Sequence, residues 1–417
     1  MNRVILHADV NSAFLSWSAV QMLREGTEID LRTVPSAVGG DEAARKGIIL
    51  AKSIPAKRLG VQTGEPLWQA RKKCPELIIV PGDYTLYTRM SNAFMDMVRD
   101  FSPLCQQYSV DECFIDYTGM EKAFGPAPAA ADRLRRRIRD ELGFTVSIGI
   151  AHTKVLAKMA GELKKPDAVT TLWPEELPQK LWPLPVRELF MVGHATERRL
   201  HALNIHTIGD LAQANADMLC RHLGKNGFTL WQYANGLDRD PVVPTETIPL
   251  KSYSQSVTLP RDLCTEDQLL PVLSRLSTAL SYRMRRGGAC CSVVSLYLKD
   301  PALQVTGHQK KLPRPSDVTG ELYQALRTLF FQTYTGGPVR AMGIGFSDLC
   351  PVDGVSLSLF DDRSMQKKIA IDAAGDRIRS RYGGKALCPA SALRSPDFSH
   401  LARYEPGSGR PRTFCPF

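Results

Sequence analysis

The run V-I-L-H-A at 4–8 is apolar almost throughout and stops at Asp9, which predicts a short central strand ending on a carboxylate. From 12 to 24 the pattern turns helical. G-I-I-L-A at 47–51 reads as a strand, and the basic K-S-I-P-A-K-R at 52–58 leads on to Gly60. The apolar residues 77–80 are closed by Pro81-Gly82. An amphipathic stretch at 84–101 predicts a helix, 132–142 a strongly basic helix, and T-V-S-I-G-I-A at 145–151 another strand. Strands and helices thus mix over the first 167 residues, an α+β or α/β layer.

From 173 to 237 the pattern is helical with short turns. The segment D-P-V-V-P-T-E-T-I-P at 240–249 carries three prolines that cannot sit inside a helix, so it reads as a linker. Strands and helices alternate again over 251–346. A tail follows: the apolar V-S-L-S-L-F at 355–360, a candidate helix at 365–382, and the low-complexity E-P-G-S-G-R-P-R. A chain of 417 residues exceeds what one core serves, so two to four domains are expected.

Charge sharpens this picture. The net charge is +10, and the 251–346 block holds twelve Lys or Arg against six Asp or Glu, more than half of that excess. A polyanion such as nucleic acid is the partner this implies. No run of about 18 apolar residues exists, so no membrane span is expected, and the start M-N-R-V-I-L is not that of a signal peptide. Ten scattered cysteines without a C-x-x-C pair suggest free thiols in a reducing cytosol, with neither a zinc site nor a disulfide framework.

The candidate chemistry starts at Y-S-V-D-E-C-F-I-D-Y, 108–117, where Asp111 and Glu112 stand together among apolar residues. Burying two carboxylates is costly, and they repel each other. Either both lie on an exposed turn or a cation sits between them. The second reading requires a hairpin near 109–111, because neighbours on a regular strand point to opposite faces. Asp9 is placed for a ligand site at a strand end, or for a helix N-cap. Three carboxylates suit Mg²⁺, and two such ions about 4 Å apart would serve phosphoryl or nucleotidyl transfer. In A-H-T-K-V-L-A-K-M-A-G-E-L-K-K-P, 151–166, Thr153 is a candidate N-cap and Pro166 a stop. Lys154, Lys158 and Lys165 fall within roughly a 40° arc with Gly161 between them, either a solvated basic face or a phosphate-holding one.

H-A-D-V-N-S-A-F (7–14), S-V-D-E (109–112) and K-V-L-A-K-M-A-G-E-L-K-K-P (154–166), in this order, resemble the Y-family lesion-bypass DNA polymerases, in particular their bacterial polymerase IV branch. The resemblance covers about residues 1–347. It implies an α+β multidomain right-hand fold: a mixed-sheet palm at 1–11 and 79–167, small fingers at 12–78, and a helical thumb with a helix-hairpin-helix at 168–241. A linker at 242–250, an α/β little finger at 251–347 and a tail at 348–417 complete it. The implied activity is template-directed, low-fidelity addition of deoxynucleotides to a primer 3′-hydroxyl with two Mg²⁺ ions. The implied catalytic metal ligands are Asp9, Asp111 and Glu112, with the carbonyl of Val10.

Phe14 matches the steric gate against ribonucleotides, and Lys165, Lys57 and Lys52 match triphosphate contacts. Gly193 belongs to the DNA-binding hairpin. Arg283, Arg285 and Arg286 are candidates for DNA contact or for a solvated helix end. Leu357, Leu359 and Phe360 resemble the anchors of a sliding-clamp peptide, or else form a strand of a small C-terminal fold. Primed DNA, deoxynucleoside triphosphates and a clamp are the implied partners of a cytoplasmic monomer. The chain also departs from the family: S-I-P-A-K replaces N-Y-P-A-R, so Ile54 and Lys57 stand for a Tyr and an Arg. Asn11 replaces an acid not counted as a required ligand, and F-M-V-G replaces P-G-V-G before the thumb helix. A catalytically weak or inactive DNA-binding adaptor and a metal-dependent nuclease remain as alternatives.

Overall fold

The computed structural model describes residues 3–41, 45, 47–352, 363–384, 386, 387 and 390. In the first part the strands are β1 (Ile5–Val10), β2 (Ser36–Gly39), β3 (Ile49–Lys52), β4 (Ile78–Pro81), β5 (Cys105–Gln107), β6 (Glu112–Asp116), β7 (Val146–Ala151) and β8 (Val169–Thr171). The helices between them are α1 (Ala13–Arg24), α2 (Ile54–Arg58), α3 (Leu67–Lys73), α4 (Tyr84–Arg99), α5 (Glu121–Phe124), α6 (Ala127–Arg137) and α7 (Lys154–Leu163). Five shorter helices follow: α8 (Leu177–Lys180), α9 (His194–Ala202), α10 (Ile208–Gln213), α11 (Ala216–Leu223) and α12 (Lys225–Ala234).

The apolar run at the N-terminus is the centre of a five-stranded mixed sheet of order β5-β6-β1-β7-β8. Only β7 and β8 pair in parallel. Leu6, Ala8 and Val10 of β1 enter the core shared with α1, α4 and α6, whereas Ile5 and Phe114 enter a second core under α7 and the helices after it. Both faces of β1 are therefore covered, and the polar residues His7 and Asp9 share the face that α7 covers. A smaller sheet of order β3-β2-β4 carries α2 and α3. Strand β4, which crosses the expected boundary at 78/79, pairs in parallel with β2 in that small sheet. The first stretch of the expected linker is laid down against β5: Val242 is buried, and the Gln107 amide donates to Thr245 Oγ1 at 2.8 Å.

The segment from Pro249 onward forms, with Asp41–Gly47, a compact unit separate from the rest of the chain. Its elements are β9 (Ser252–Leu263), α13 (Glu266–Arg286), β10 (Ala289–Lys299), β11 (Val305–Ser316), α14 (Thr319–Thr333), β12 (Val339–Pro351) and α15 (Arg363–Tyr382). The strands make an antiparallel sheet of order β11-β10-β12-β9 over which α13 and α14 close a core. The eight described cysteines are free thiols. Among the described residues no helix is long and apolar enough to cross a membrane.

One contact sets how α7 lies on the main sheet. A Cβ on Gly149 of β7 would stand 2.0 Å from the Ala157 carbonyl oxygen and 2.3 Å from the Gly161 amide nitrogen. Helix and strand backbones thus touch where neither residue has a side chain. Gly149→Ala is expected to force them apart at a cost of about 3 kcal/mol, lowering the melting temperature of the purified protein by several degrees. An unchanged melting curve would contradict this account of the packing.

Candidate active site

Pairing of β1 with β6 sets Asp9 opposite Glu112. Directly opposed residues of an antiparallel pair share a sheet face, so both carboxylates stand on the side covered by α7. Asp111 precedes β6 in the turn that joins it to β5, and its carbonyl accepts the Val10 amide at 2.9 Å. That turn is the hairpin the acidic pair requires: the Tyr108 and Ser109 amides both donate to the Glu112 carbonyl, at 2.9 and 3.1 Å. Two segments far apart in sequence therefore bring three carboxylates to one end of the sheet.

Each carboxylate commits one oxygen to a neighbouring side chain. Lys165 Nζ donates to Asp9 Oδ1 at 2.8 Å and to Glu162 Oε1 at 2.6 Å. The Ser109 hydroxyl donates to Asp111 Oδ1. His7 Nε2 lies 2.9 Å from Glu112 Oε2, and Lys158 Nζ reaches the same oxygen. No side-chain donor among the described residues bonds the second oxygen of any of the three. Among the described residues no three His, Cys, Asp or Glu side chains are gathered closely enough to hold a metal ion as they stand; each carboxylate bonds its own cationic or hydrogen-bonding neighbour. The lysine ammonium groups on Asp9 and Glu112 stand in for cationic charge, and three hard oxygen donors suit Mg²⁺.

Burial pushes Asp9 above the ordinary carboxylate range against the opposing charge of Lys165. Burial likewise raises Asp111, against the Ser109 hydrogen bond. Glu112 goes the other way: burial would raise it, but the His7 hydrogen bond and the Lys158 charge hold it at about 2. Burial lowers His7, against the Glu112 hydrogen bond.

The lysine arc read from the sequence takes a different place in the structure. Helix α7 ends at Leu163, so Lys165 lies beyond it, in the turn. Lys154 and Lys158 face the sheet. Lys154 Nζ donates to Gln106 Oε1 at 3.0 Å, and Lys158 lies 5.5 and 5.3 Å from the ring centres of Tyr108 and Phe190. Gly161 is closed in by Gly149 and His7, so it leaves no room for phosphate. This stripe is neither a solvated face nor an anion cradle; it is the underside of the helix.

An open cleft of about 310 Å³ is lined by Asp9, Val10, Phe14, Lys52, Lys57 and Asp111, with Ile54 and Thr63 on its wall. The Phe14 ring stacks on Tyr87, centroids 4.5 Å apart and 19° from parallel, with Tyr84 at its edge. Lys52 Nζ donates to Thr63 Oγ1 at 3.0 Å, and burial together with the charge of Lys57 lowers its pKa. Asn11 is taken up by structure: its Nδ2 donates to Thr145 Oγ1 at 3.1 Å and its Oδ1 accepts from Ser147 at 2.9 Å.

Gly193 caps the N-terminus of α9, with no atom within 4 Å of where a Cβ would stand. Met191, at the position of the missing glycine, has φ 74°, the left-handed backbone a glycine adopts without strain. Arg286 is exposed, and Arg283 donates to the Ser254 carbonyl at 3.3 Å. Arg285 departs from the expectation of a DNA contact. It forms a two-pronged pair with Asp376 (2.7 and 3.0 Å) and reaches Asp372 at 3.3 Å, the Asp317 carbonyl and Thr319. Its side chain is 12% exposed, so it anchors α15 and is withheld from solvent. Leu357, Leu359 and Phe360 lie outside the described residues. Sequence reasoning missed His7 and Lys158 as partners of Glu112; the signal was the two-residue step from His7 to Asp9, which puts both on one strand face.

Residues 8–162 match the impB/mucB/samB family, 250–359 its C-terminal domain, and 187–238 the thumb domain of DNA polymerase-iota. A solved Y-family DNA polymerase chimera, Dbh-Dpo4(243-245)-Dbh, matches with a TM-score of 0.71 over 84% of this chain and 99% of that one, at 22% identity. The architecture is thus that of a right-hand polymerase, α+β and multidomain. DNA polymerase IV of Clostridium acetobutylicum is 39% identical over 93% of this chain and 97% of its own length. DNA polymerase IV of Acetivibrio thermocellus is 37% identical (92% and 96%), and DNA polymerase IV 1 of Bacillus subtilis 34% (94% and 94%). The chain belongs to the Y-family DNA polymerases.

Removing one partner of a buried ion pair leaves the other uncompensated. Arg285→Ala is therefore expected to release α15. Amide hydrogen exchange across Arg363–Tyr382 would rise by about ten-fold or more, while exchange in β1 and β6 stays as it was.

Proposed function

We propose that this chain is a template-directed DNA polymerase of the translesion type, adding deoxynucleotides to a primer 3′-hydroxyl. The observation that carries the reading is the convergence of Asp9, Asp111 and Glu112 at one sheet end, beside a cleft holding Phe14, Lys52 and Lys57. Nothing favours the inactive-adaptor alternative. The palm, fingers, thumb and little-finger divisions given above are assigned on the same reading.

Enzymes of this family are metal-dependent. We assign Asp9, Asp111 and Glu112, with the Val10 carbonyl, as the groups that would hold two Mg²⁺ ions. When bound, the metal supplies the positive charge that phosphoryl chemistry needs at the triphosphate and the attacking oxygen. In the reaction the primer oxygen bonds to the α-phosphorus, the bond to the bridging oxygen breaks, and pyrophosphate leaves. Lys52 and Lys57 offer point charges to the triphosphate where an Arg would offer a planar fork. Ile54, half-exposed on the same wall, offers no hydrogen bond. Lys165, paired with Asp9 and Glu162, is the cation nearest to pass to the phosphates when other charge neutralises Asp9. The Phe14 ring, backed by Tyr87, occupies the floor where a 2′-hydroxyl would collide.

Primed DNA and deoxynucleoside triphosphates are the partners of this activity. Gly193 and Arg286 are assigned to the DNA backbone. Docking of 356–360 on a sliding clamp, a monomeric state and a cytoplasmic location, where chromosomal DNA is found in bacteria, go with the same reading.

Primer extension on a primed template tests it. Asp111→Ala is expected to lower the extension rate by about 1000-fold or more while DNA binding is kept; near-normal extension by that variant would refute the site. Phe14→Ala is expected to raise ribonucleotide incorporation relative to deoxynucleotide by about 100-fold, read from single-nucleotide kinetics. Unchanged sugar selectivity would remove Phe14 from the gate.

A further inference from the structure

We propose that His7 is a positioning residue for Glu112. By donating from Nε2 to one oxygen of that carboxylate, it fixes the rotamer that leaves the other oxygen for a cation. The inference rests on the polymerase reading of Asp9, Asp111 and Glu112.

The ring of His7 has nowhere else to go. It is fully buried between β1, β6 and α7, with its centroid 4.8 Å from that of Phe114. Its other nitrogen, Nδ1, faces Gly161 at the point where α7 comes closest to the sheet. Among the described residues Nδ1 has no hydrogen-bond partner. This decides the tautomer. With the proton on Nε2 the ring donates to Glu112 Oε2 at 2.9 Å and leaves only a bare lone pair at Nδ1. With the proton on Nδ1, a buried N–H would go unpaired and a lone pair would face a carboxylate oxygen.

Lys158 approaches the same oxygen and is itself held between Tyr108 and Phe190. Two donors therefore converge on Oε2, from a ring locked in the sheet and from a helix seated on it. Oε1 takes no side-chain donor among the described residues. A carboxylate fixed in this way is oriented before any ligand arrives. Outer partners of this kind orient metal-ligating groups, and their loss costs roughly 10–100-fold in metal affinity or activity. The Lys158 ammonium supplies a point charge; the planar imidazole supplies direction.

The full-length variants His7→Phe and His7→Gln separate direction from bulk. Phe keeps a ring in the slot and removes the donor, whereas Gln keeps an N–H. The probe is Mn²⁺, its binding measured by electron paramagnetic resonance on the complex with dideoxy-terminated primer–template and a non-hydrolysable deoxynucleotide analogue. His7→Phe is expected to weaken Mn²⁺ binding by about 10–100-fold and to slow single-turnover extension similarly, with DNA affinity unchanged and most of both losses recovered in His7→Gln. Wild-type Mn²⁺ affinity in His7→Phe overturns the proposal, as does an equal loss in both variants with unaltered melting curves. Should either variant fail to fold, the ring nitrogen shifts of ¹⁵N-histidine-labelled wild-type protein decide: a proton on Nε2 of His7 supports the proposal, and a proton on Nδ1 overturns it. Extension by Asp111→Ala would instead remove the polymerase reading, a result separate from these.

Discussion

The antiparallel register between β1 and β6 is the constraint on which the candidate site depends. It sets Asp9 opposite Glu112 and brings Asp111 alongside through the bond from the Val10 amide. Three like charges in a half-buried place repel one another unless cations are close. The chain supplies them from α7 and the turn after it, through Lys158 and Lys165. Those lysines reach the carboxylates because α7 lies against the sheet at Gly149 and Gly161, where the backbones meet without intervening side chains. Register, glycine contact and lysine pairing are one arrangement seen at three levels.

The cleft side of the site answers to the turn between β1 and α1. Asn11 is tied to Thr145 and Ser147, and Ser12 takes a left-handed backbone at φ 48°. After this sharp exit Phe14 lines the same cleft as Asp9, with its ring laid on Tyr87. Across the cleft, Lys52 is held below its ordinary pKa by burial and by Lys57. Lys52 and Lys57 keep two cations close in one wall of the cleft, with the charge of Glu65 acting on Lys52 in the opposite sense and Ile54 among them. The departure from the family pattern replaces an Arg by Lys57 and so keeps a cation at that position.

Strands β1, β6 and β7 were legible because each carries large apolar residues that are buried: Ile5 and Leu6, Phe114 and Ile115, Ile148 and Ile150. Strands β2 (S-A-V-G), β5 (C-Q-Q) and β8 (V-T-T) were not: they are three or four residues long, built from small or polar side chains, and are strands by pairing alone. The carboxylate triad could be read because its residue types are costly to bury without a cation. The lysine arc was correct in its angle for Lys154 and Lys158 and uninformative about direction, since periodicity does not say which neighbour a face meets. Likewise, the residues 283–286 announce positive charge, yet the acids that neutralise Arg285 come 87 and 91 residues later, from a helix whose docking no local pattern reveals.

That docking makes the tail helix part of the domain it follows. The guanidinium of Arg285 is satisfied by Asp372 and Asp376 together, and Asp372 also receives the Thr319 amide at the start of α14. A chain ended after β12 would keep every strand of the sheet and yet leave a half-desolvated cation and a helix terminus without counter-ions. Ending the chain there would cost local order, so the C-terminal boundary of this unit falls at Tyr382 or later, well past the last strand.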